Sequence, residues 1–379
     1  MAYTNIDDPS AHCQSLRWTG NASGSTRDLT FTGNSDMKPD MAIAIAEDHN
    51  QSHMITDSSR NWDVGNKELL WNGSNVEGDT NATNTGAYGW VGDGLADGIQ
   101  SNQGSGGNGY WNGNAEPYYA ACFKANGGSV TTVGESGANP GFTRQTNTDA
   151  GFSIIAYTGT GSNGTIAHGL PATPTFVYFK RRDNANVGCI WHQGIGDDYK
   201  LVTSNYSAKD SDGAFMNSTL PTSTNITVGG ASVNTNADAG TYICYAWTDI
   251  QGFSKFGSYV GNGHSEGDGT FVYTGFKPAF IITKRTDTNG SWLWHDAKWG
   301  QKVSSGNASG NNSNPLTTSM VMESNSNVVD DYGDMDILSN GFKLRSDSAA
   351  TNAGTAPYVY MAWAHNPFVT STGIPTTAR

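Results

Sequence analysis

Apolar residues along this chain come in short runs, each closed by Gly, Asn, Pro or Asp. The clearest are Met41 to Ala46, Phe176 to Phe179, Phe280 to Ile282, Tyr242 to Trp247 and Tyr358 to Trp363. Most are rich in β-branched and aromatic residues, and no segment keeps a 3.6-residue apolar period over three turns. The pattern therefore predicts many short strands and little helix. Strands of this length between Gly/Asn turns build sandwiches or barrels.

The runs recur in a fixed order. A Pro-led strand appears three times, at Pro39, Pro174 and Pro278. The last two share the offsets to Lys180 and Lys284 and to Asp183 and Asp287, and the first keeps the Asp offset at Asp48. A closing strand follows each: Tyr118 to Phe123, Tyr242 to Trp247, and Tyr358 to Trp363. Each copy opens alike, at Trp18-Thr19-Gly20, Tyr157-Thr158-Gly159 and Tyr259-Val260-Gly261. The period of about 100 residues is that of a small domain and not of a solenoid repeat. The predicted organisation is an N-terminal arm (1–14), module 1 with a Trp/Gly-rich insert (15–127), a linker (128–148), module 2 (149–251), module 3 (252–370) and a polar tail (371–379). Modules 2 and 3, joined tightly through Asp249 to Phe256, are expected to pack as a pair. The expected fold is all-β: three tandem β-sandwich modules, jelly-roll or lectin-like, with short turns.

Composition narrows the class. Of 379 residues 48 are Gly, and only 15% are charged, against about 25% in an average globular chain. The 11 Trp, 16 Tyr and 14 Phe exclude a disordered chain. A net charge of -13 argues against a phosphate-backbone partner. The N-terminus carries Asp7 and Asp8 with no apolar stretch, so no secretory signal is read there, and no apolar run approaches a membrane span. Cys13, Cys122, Cys189 and Cys244 lack metal or redox spacing and are expected to be reduced and buried.

Several motifs invite a chemical reading. Gly159-Thr160-Gly161-Ser162-Asn163-Gly164 fits a dinucleotide fingerprint, but Pro171 and Pro174 follow too closely for the helix it requires, so it reads as a hairpin turn. Trp191-His192 and Trp294-His295 occupy what look like equivalent places in modules 2 and 3, which marks them as scaffold. The clusters Lys180-Arg181-Arg182 and Lys284-Arg285 are expected to lie in solvent or pair with Asp183 and Asp287, an anion or glycan-sulfate site being the alternative. Calcium is the one cation left open, at Asp330, Asp331, Asp334 and Asp336, and less so at Asp210 and Asp212. Tyr88, Trp90, Tyr110 and Trp111 lie among Gly-rich turns, a setting that suits glycan or receptor contact as well as core or interface packing. Nothing marks a catalytic set, so no catalytic residue and no other cofactor is assigned. The repeat anchors are Trp18, Pro39, Tyr118, Tyr157, Pro174, Trp191, His192, Tyr242, Trp247, Tyr259, Pro278, Trp294, His295, Tyr358 and Trp363.

Ile6 to Gln14 and Leu16 to Asn21 resemble the start of a family of marine bacteriophage structural proteins, of the cyanophage and pelagiphage kind. Gly252 to Gly263, Phe271 to Lys284, Leu338 to Leu344 and Tyr358 to Trp363 are similar to the same family. The resemblance runs over nearly the whole chain. It departs at Ala46-Glu47-Asp48, where the family has a basic end, and in the Trp/Gly-rich stretch Leu69 to Trp111. It implies a non-enzymatic virion protein, made in the host cytoplasm and built into the particle as tail fibre, spike or receptor-binding component. The alternatives are a capsid decoration or head fibre protein, and a glycan-binding or polysaccharide-depolymerising spike. The implied partners are other tail or capsid proteins, further copies in a symmetric homo-oligomer with a trimer favoured, and a host surface glycan. Neither nucleic acid nor membrane is among them.

Overall fold

The computed structural model describes residues 3–376 apart from 23–24, 48–51, 61–66, 79–88, 104–110, 127–128, 231, 265–267, 299–318 and 323–334. Module 1 holds β1 (Cys13–Thr19), β2 (Arg27–Leu29), β3 (Met41–Ala46), β4 (Met54–Asp57), β5 (Leu69–Leu70), β6 (Trp90–Leu95), β7 (Gly98–Asn102) and β8 (Pro117–Phe123). Module 2 holds β9 (Thr131–Val133), β10 (Phe142–Asn147), β11 (Phe152–Thr158), β12 (Gly164–Ala167), β13 (Phe176–Arg181), β14 (Cys189–His192), β15 (Tyr199–Val202), β16 (Asp210–Ser211), β17 (Asn225–Val228) and β18 (Thr241–Trp247). Module 3 holds β19 (Ser254–Val260), β20 (Phe271–Tyr273), β21 (Phe276–Arg285), β22 (Trp292–Asp296), β23 (Ser319–Val321), β24 (Met335–Leu338), β25 (Gly341–Leu344) and β26 (Pro357–Pro367). Helical turns include the 3-10 segments at Pro9–Ala11 and Ser58–Arg60.

Each module is a large sheet with a small sheet laid on it. The large sheets run β1-β8-β3-β4-β5 and β19-β26-β21-β22-β23, and module 2 repeats that order as β11-β18-β13-β14-β15. The small sheets are β2-β7-β6, β12-β17 and β20-β25-β24. First strand pairs with last and second with its late partner, the nesting of a jelly roll, but the middle strands stay on the large sheet as a meander. The all-β expectation holds.

One expectation about organisation is corrected. Residues 128–148 contain β9 and β10, which pair onto β11 and extend the module 2 sheet to eight strands with β16. The Gly/Asn-rich composition of that stretch belongs to its turns, such as the one closed between Ser136 and Asn139, and Phe142 and Gln145 are its inward positions.

The central strands of the large sheets, such as β3, β8, β13 and β18, are buried on both faces, which is why they read as continuous apolar runs. In β3, Ala42, Ala44 and Ala46 join Trp18, Tyr118 and Cys122 in the sandwich core of module 1. Met41, Ile43 and Ile45 face the other way, into a second core shared with Tyr245, Trp247, Phe280, Met361 and Trp363. Modules 2 and 3 thus do not form a pair apart from module 1. All three large sheets turn one face toward a common interior. The arm joins it through Ile6 and is tied to module 3, where Tyr3 Oη donates to Gly275 O at 2.7 Å. The tail lies beside the arm, with Ser371 N donating to Asp7 at 2.6 Å.

Candidate functional site

The centre of the molecule is built from the last aromatic of each closing strand. Phe123, Trp247 and Trp363 are register-equivalent, pairing with Met41, Phe176 and Phe280 on their neighbouring strands. Their rings meet in a triangle, with centroids 5.7 Å apart for Phe123–Trp247, 5.3 Å for Phe123–Trp363 and 6.1 Å for Trp247–Trp363. Phe176 and Phe280 back the tryptophans at 5.0 and 4.9 Å. A void of about 10 Å³ lies among these rings, Met41, Ile55 and Trp71. Three copies of one module thus surround an approximate threefold axis inside a single chain.

Equivalent residues also form the three seams. Asp57, His192 and Asp296 stand opposite Met41, Phe176 and Phe280, at the end of the fourth strand of each large sheet. Each is fully buried and bonds to the next module's closing strand. Tyr245 Oη donates to Asp57 Oδ2 at 2.5 Å, His192 Nε2 donates to Tyr360 O at 3.2 Å, and Tyr119 Oη donates to Asp296 Oδ2. Burial pushes the His192 imidazole down to about 4, so it is neutral. Burial also raises the Asp296 carboxyl to about 6, against the opposing hydrogen bonds from Tyr119 and the Lys298 backbone.

One or two residues beyond His192 and Asp296, a side chain reaches the next module's opening strand. Gln193 Nε2 donates to Phe256 O and Lys298 Nζ to Ser15 O, and the two carbonyls are register-equivalent. At the third seam β10 already covers that edge, and Ser58 and Ser59 bond to Gln145 of β10 instead. The ring therefore closes, module 1 on 2, 2 on 3 and 3 on 1.

The basic clusters are spent in the same seams. Lys180 is wholly buried and donates to Gly73 O at 2.6 Å and Asn186 O at 2.7 Å; burial lowers its pKa to about 8. Lys284 makes the equivalent reach from module 3 to module 2, donating to Ser207 O at 2.7 Å. In module 1 the position is Ile45. Arg181 and Arg285 fork onto Asp183 and Asp287, at 3.0 and 2.7 Å, and Arg182 forks onto Glu77 of module 1. Arg60, fully buried, bonds Asp57 and Glu77, with 3.0 Å to the latter, and donates to Ile55 O. Its neighbouring carboxylates hold its pKa above the ordinary value against the cost of burial.

The far end of each module repeats a polar clasp. Trp18, Tyr157 and Tyr259 stack on Tyr118, Tyr242 and Tyr358 at 5.4, 5.1 and 5.0 Å. The three closing tyrosines accept from Gly113, Ala237 and Ala353 N, each at 2.9 Å. Asn112, Asn236 and Asn352 accept from the backbone N–H of Asn21, Thr160 and Asn262. The opening Gly beside each clasp is required sterically, because a Cβ on Gly20, Gly159 or Gly261 would lie 1.9–2.3 Å from a carbonyl of the facing turn. Sequence reading missed the Asn set. Its constant offset before Tyr118, Tyr242 and Tyr358 was the signal.

Other sequence-based candidates fare differently. Trp111 does not offer a face to a ligand: it is 4% exposed, its ring lies 6.2 Å from Tyr118, and its carbonyl accepts from Trp18 Nε1. Trp90 is half-buried at the start of β6. Tyr88, Tyr110, Asp330, Asp331 and Asp334 lie outside the described residues. Asp336 is not an open cation ligand, since Arg345 Nε donates to it at 2.6 Å and its side chain is nearly buried. Lys200 Nζ lies 2.5 Å from Asp212 and 3.5 Å from Asp210, where a cation would have to sit. The Gly159 to Gly164 motif is the turn from β11 to β12. The two Trp–His pairs are not register-equivalent. His192 matches Asp296, and Trp191 matches His295, because Phe176 pairs with the His of its Trp–His pair whereas Phe280 pairs with the residue after the His. Pro278 lies inside β21 at a bulge, whereas Pro39 and Pro174 precede their strands. All four cysteines are free and buried.

A cleft of about 230 Å³ opens where the arm and module 1 meet module 3, lined by Asp8, Gln14, Asn34, Lys298, His365 and Asn366 among others. Gln14 is engaged with Ser10, Gly33 and Ser35, Asp8 with Ser10 and Ser35, and Lys298 with Ser15. Among the described residues no three His, Cys, Asp or Glu side chains are grouped to hold a metal.

Fold and seams define an all-β protein of three fused modules closed about an internal pseudo-threefold axis. The chain belongs to the family described as "Domain of unknown function (DUF7483)", whose profile matches residues 8–367. No curated protein and no solved structure matches the chain.

Proposed function

We propose that this chain is a non-enzymatic structural component of a bacteriophage particle, serving in the tail as a fibre, spike or receptor-binding component. The observation that supports this best is the closed ring. Polar groups that could do chemistry, Asp57, Arg60, Lys180, His192 and Asp296, are buried and consumed in holding modules together. The cost of desolvating them is offset by hydrogen bonds to backbone carbonyls and tyrosines and by the Arg60–Asp57 ion pair, and such a body gains rigidity and a single geometry from it. The resemblance of its segments to marine phage structural proteins supplies the particle. The inward faces that a trimer of single modules would join are already joined here, so a homo-oligomer of whole chains has to use the small sheets or loops.

Purified virions labelled with an antibody to this chain test the reading. Label on the tail is expected. Absence of the chain from virions would sink the proposal, and label spread over the shell would place it in the head as a decoration protein. New reducing ends released from host surface polysaccharide by the purified protein would overturn the non-enzymatic part.

A further inference from the structure

Two aromatic side chains break the repeat on the outside of module 3. In each small sheet one residue of the first strand points inward, Leu29, Ile166 and Val272, opposite Ile99, Ile226 and Phe342. Its two neighbours point outward. Module 1 places Asp28 and Thr30 there and module 2 places Thr165 and Ala167, all polar or small. Module 3 places Phe271 and Tyr273, which are 45% and 48% exposed. The fold itself therefore does not need aromatic rings at these positions.

The surroundings are organised. Lys343 lies directly across from Phe271 on the same face. Lys255 Nζ sits 5.5 Å from the Tyr273 ring and donates to Tyr273 O at 3.2 Å. Tyr3 Oη lies 3.1 Å from Tyr273 Oη. A lysine and a tyrosine of the arm thus occupy the strand edge, which blunts it against addition of a strand from another chain. About half of each of the two residues stays exposed, on a strand that spaces them about 6.6–6.8 Å apart, with Lys255 over one face of the Tyr273 ring and phenol groups beside it. The net charge of -13 disfavours a nucleic-acid strand.

We infer that Phe271 and Tyr273 form a stacking platform for a saccharide, with Lys343, Tyr3 and Tyr273 Oη meeting its hydroxyl or carboxylate groups. The site lies in module 3, not among the aromatics of module 1. It does not rest on the particle assignment, and a failure of either leaves the other standing.

The test is titration calorimetry of the full chain with cellohexaose, an alginate hexamer and poly(dT). Binding of at least one of the two saccharides is expected. The double variant Phe271→Thr/Tyr273→Ala, which installs the residues module 2 carries, should lose at least about ten-fold in affinity with an unchanged melting temperature. Three outcomes overturn the inference: no binding of either saccharide, poly(dT) bound in their place, or wild-type affinity in the double variant. Loss of binding accompanied by a lower melting temperature also counts against it, because the rings would then be structural.

Discussion

Replacing Trp247 by Ala is expected to destabilise the whole molecule by about 3–5 kcal/mol, the range for deleting a buried large aromatic. Trp247 is 3% exposed and touches Phe123, Phe152, Phe176, Tyr245 and Trp363. The rings around it come from three separate sheets, so no single module can relax inward to refill the space. The loss should therefore be felt in modules 1 and 3 as well as in 2. Hydrogen exchange of the variant checks this, with reduced protection expected in β8 and β26 together with β18. Loss of protection confined to module 2 would mean that the three cores are independent.

The second large effect is expected at Arg60. Its guanidinium is fully buried between Asp57, Glu77, Ile55 O and Tyr245. Arg60→Met leaves two carboxylates of the seam between modules 1 and 2 without their shared cation, which should cost about 3–5 kcal/mol. The pairing itself is worth much less than that, because both ions were desolvated to make it. Adding Asp57→Asn to Arg60→Met should therefore restore part of the loss, with a coupling of about 0.5–3 kcal/mol in a double-mutant cycle followed by urea unfolding. Additive losses would show that Arg60 acts through packing alone.

Much of this architecture is visible in the sequence, and the parts that are not share a physical cause. Three copies, their opening and closing strands and the pairing of Arg181 with Asp183 follow from local pattern. Met41 to Ala46 shows that β3 is buried on both faces, but the alternation of Ile and Ala does not say what lies on either side. The common core is for that reason invisible until the sheets are placed. Lys180 and Lys284 read as strand-end charges because sequence shows their type and not the backbone carbonyls of another module that receive them. Residues 128–148 read as a linker because turn composition outweighs two short strands whose inward residues, Phe142 and Gln145, are few. The Gly residues around Trp111 leave ligand contact and core packing both open, and the clasp around Tyr118 takes it into the core. Phe271 and Tyr273 read as ordinary strand residues, and only comparison with Thr165 and Ala167 at the same register makes them unusual.

The central claim is that three repeats fold as one body around a shared axis. Calorimetric unfolding of the intact chain tests it most directly. A single transition, with van't Hoff and calorimetric enthalpies equal, is the predicted result. Two or three resolved transitions, each with the enthalpy of a domain of about 100 residues, would contradict it.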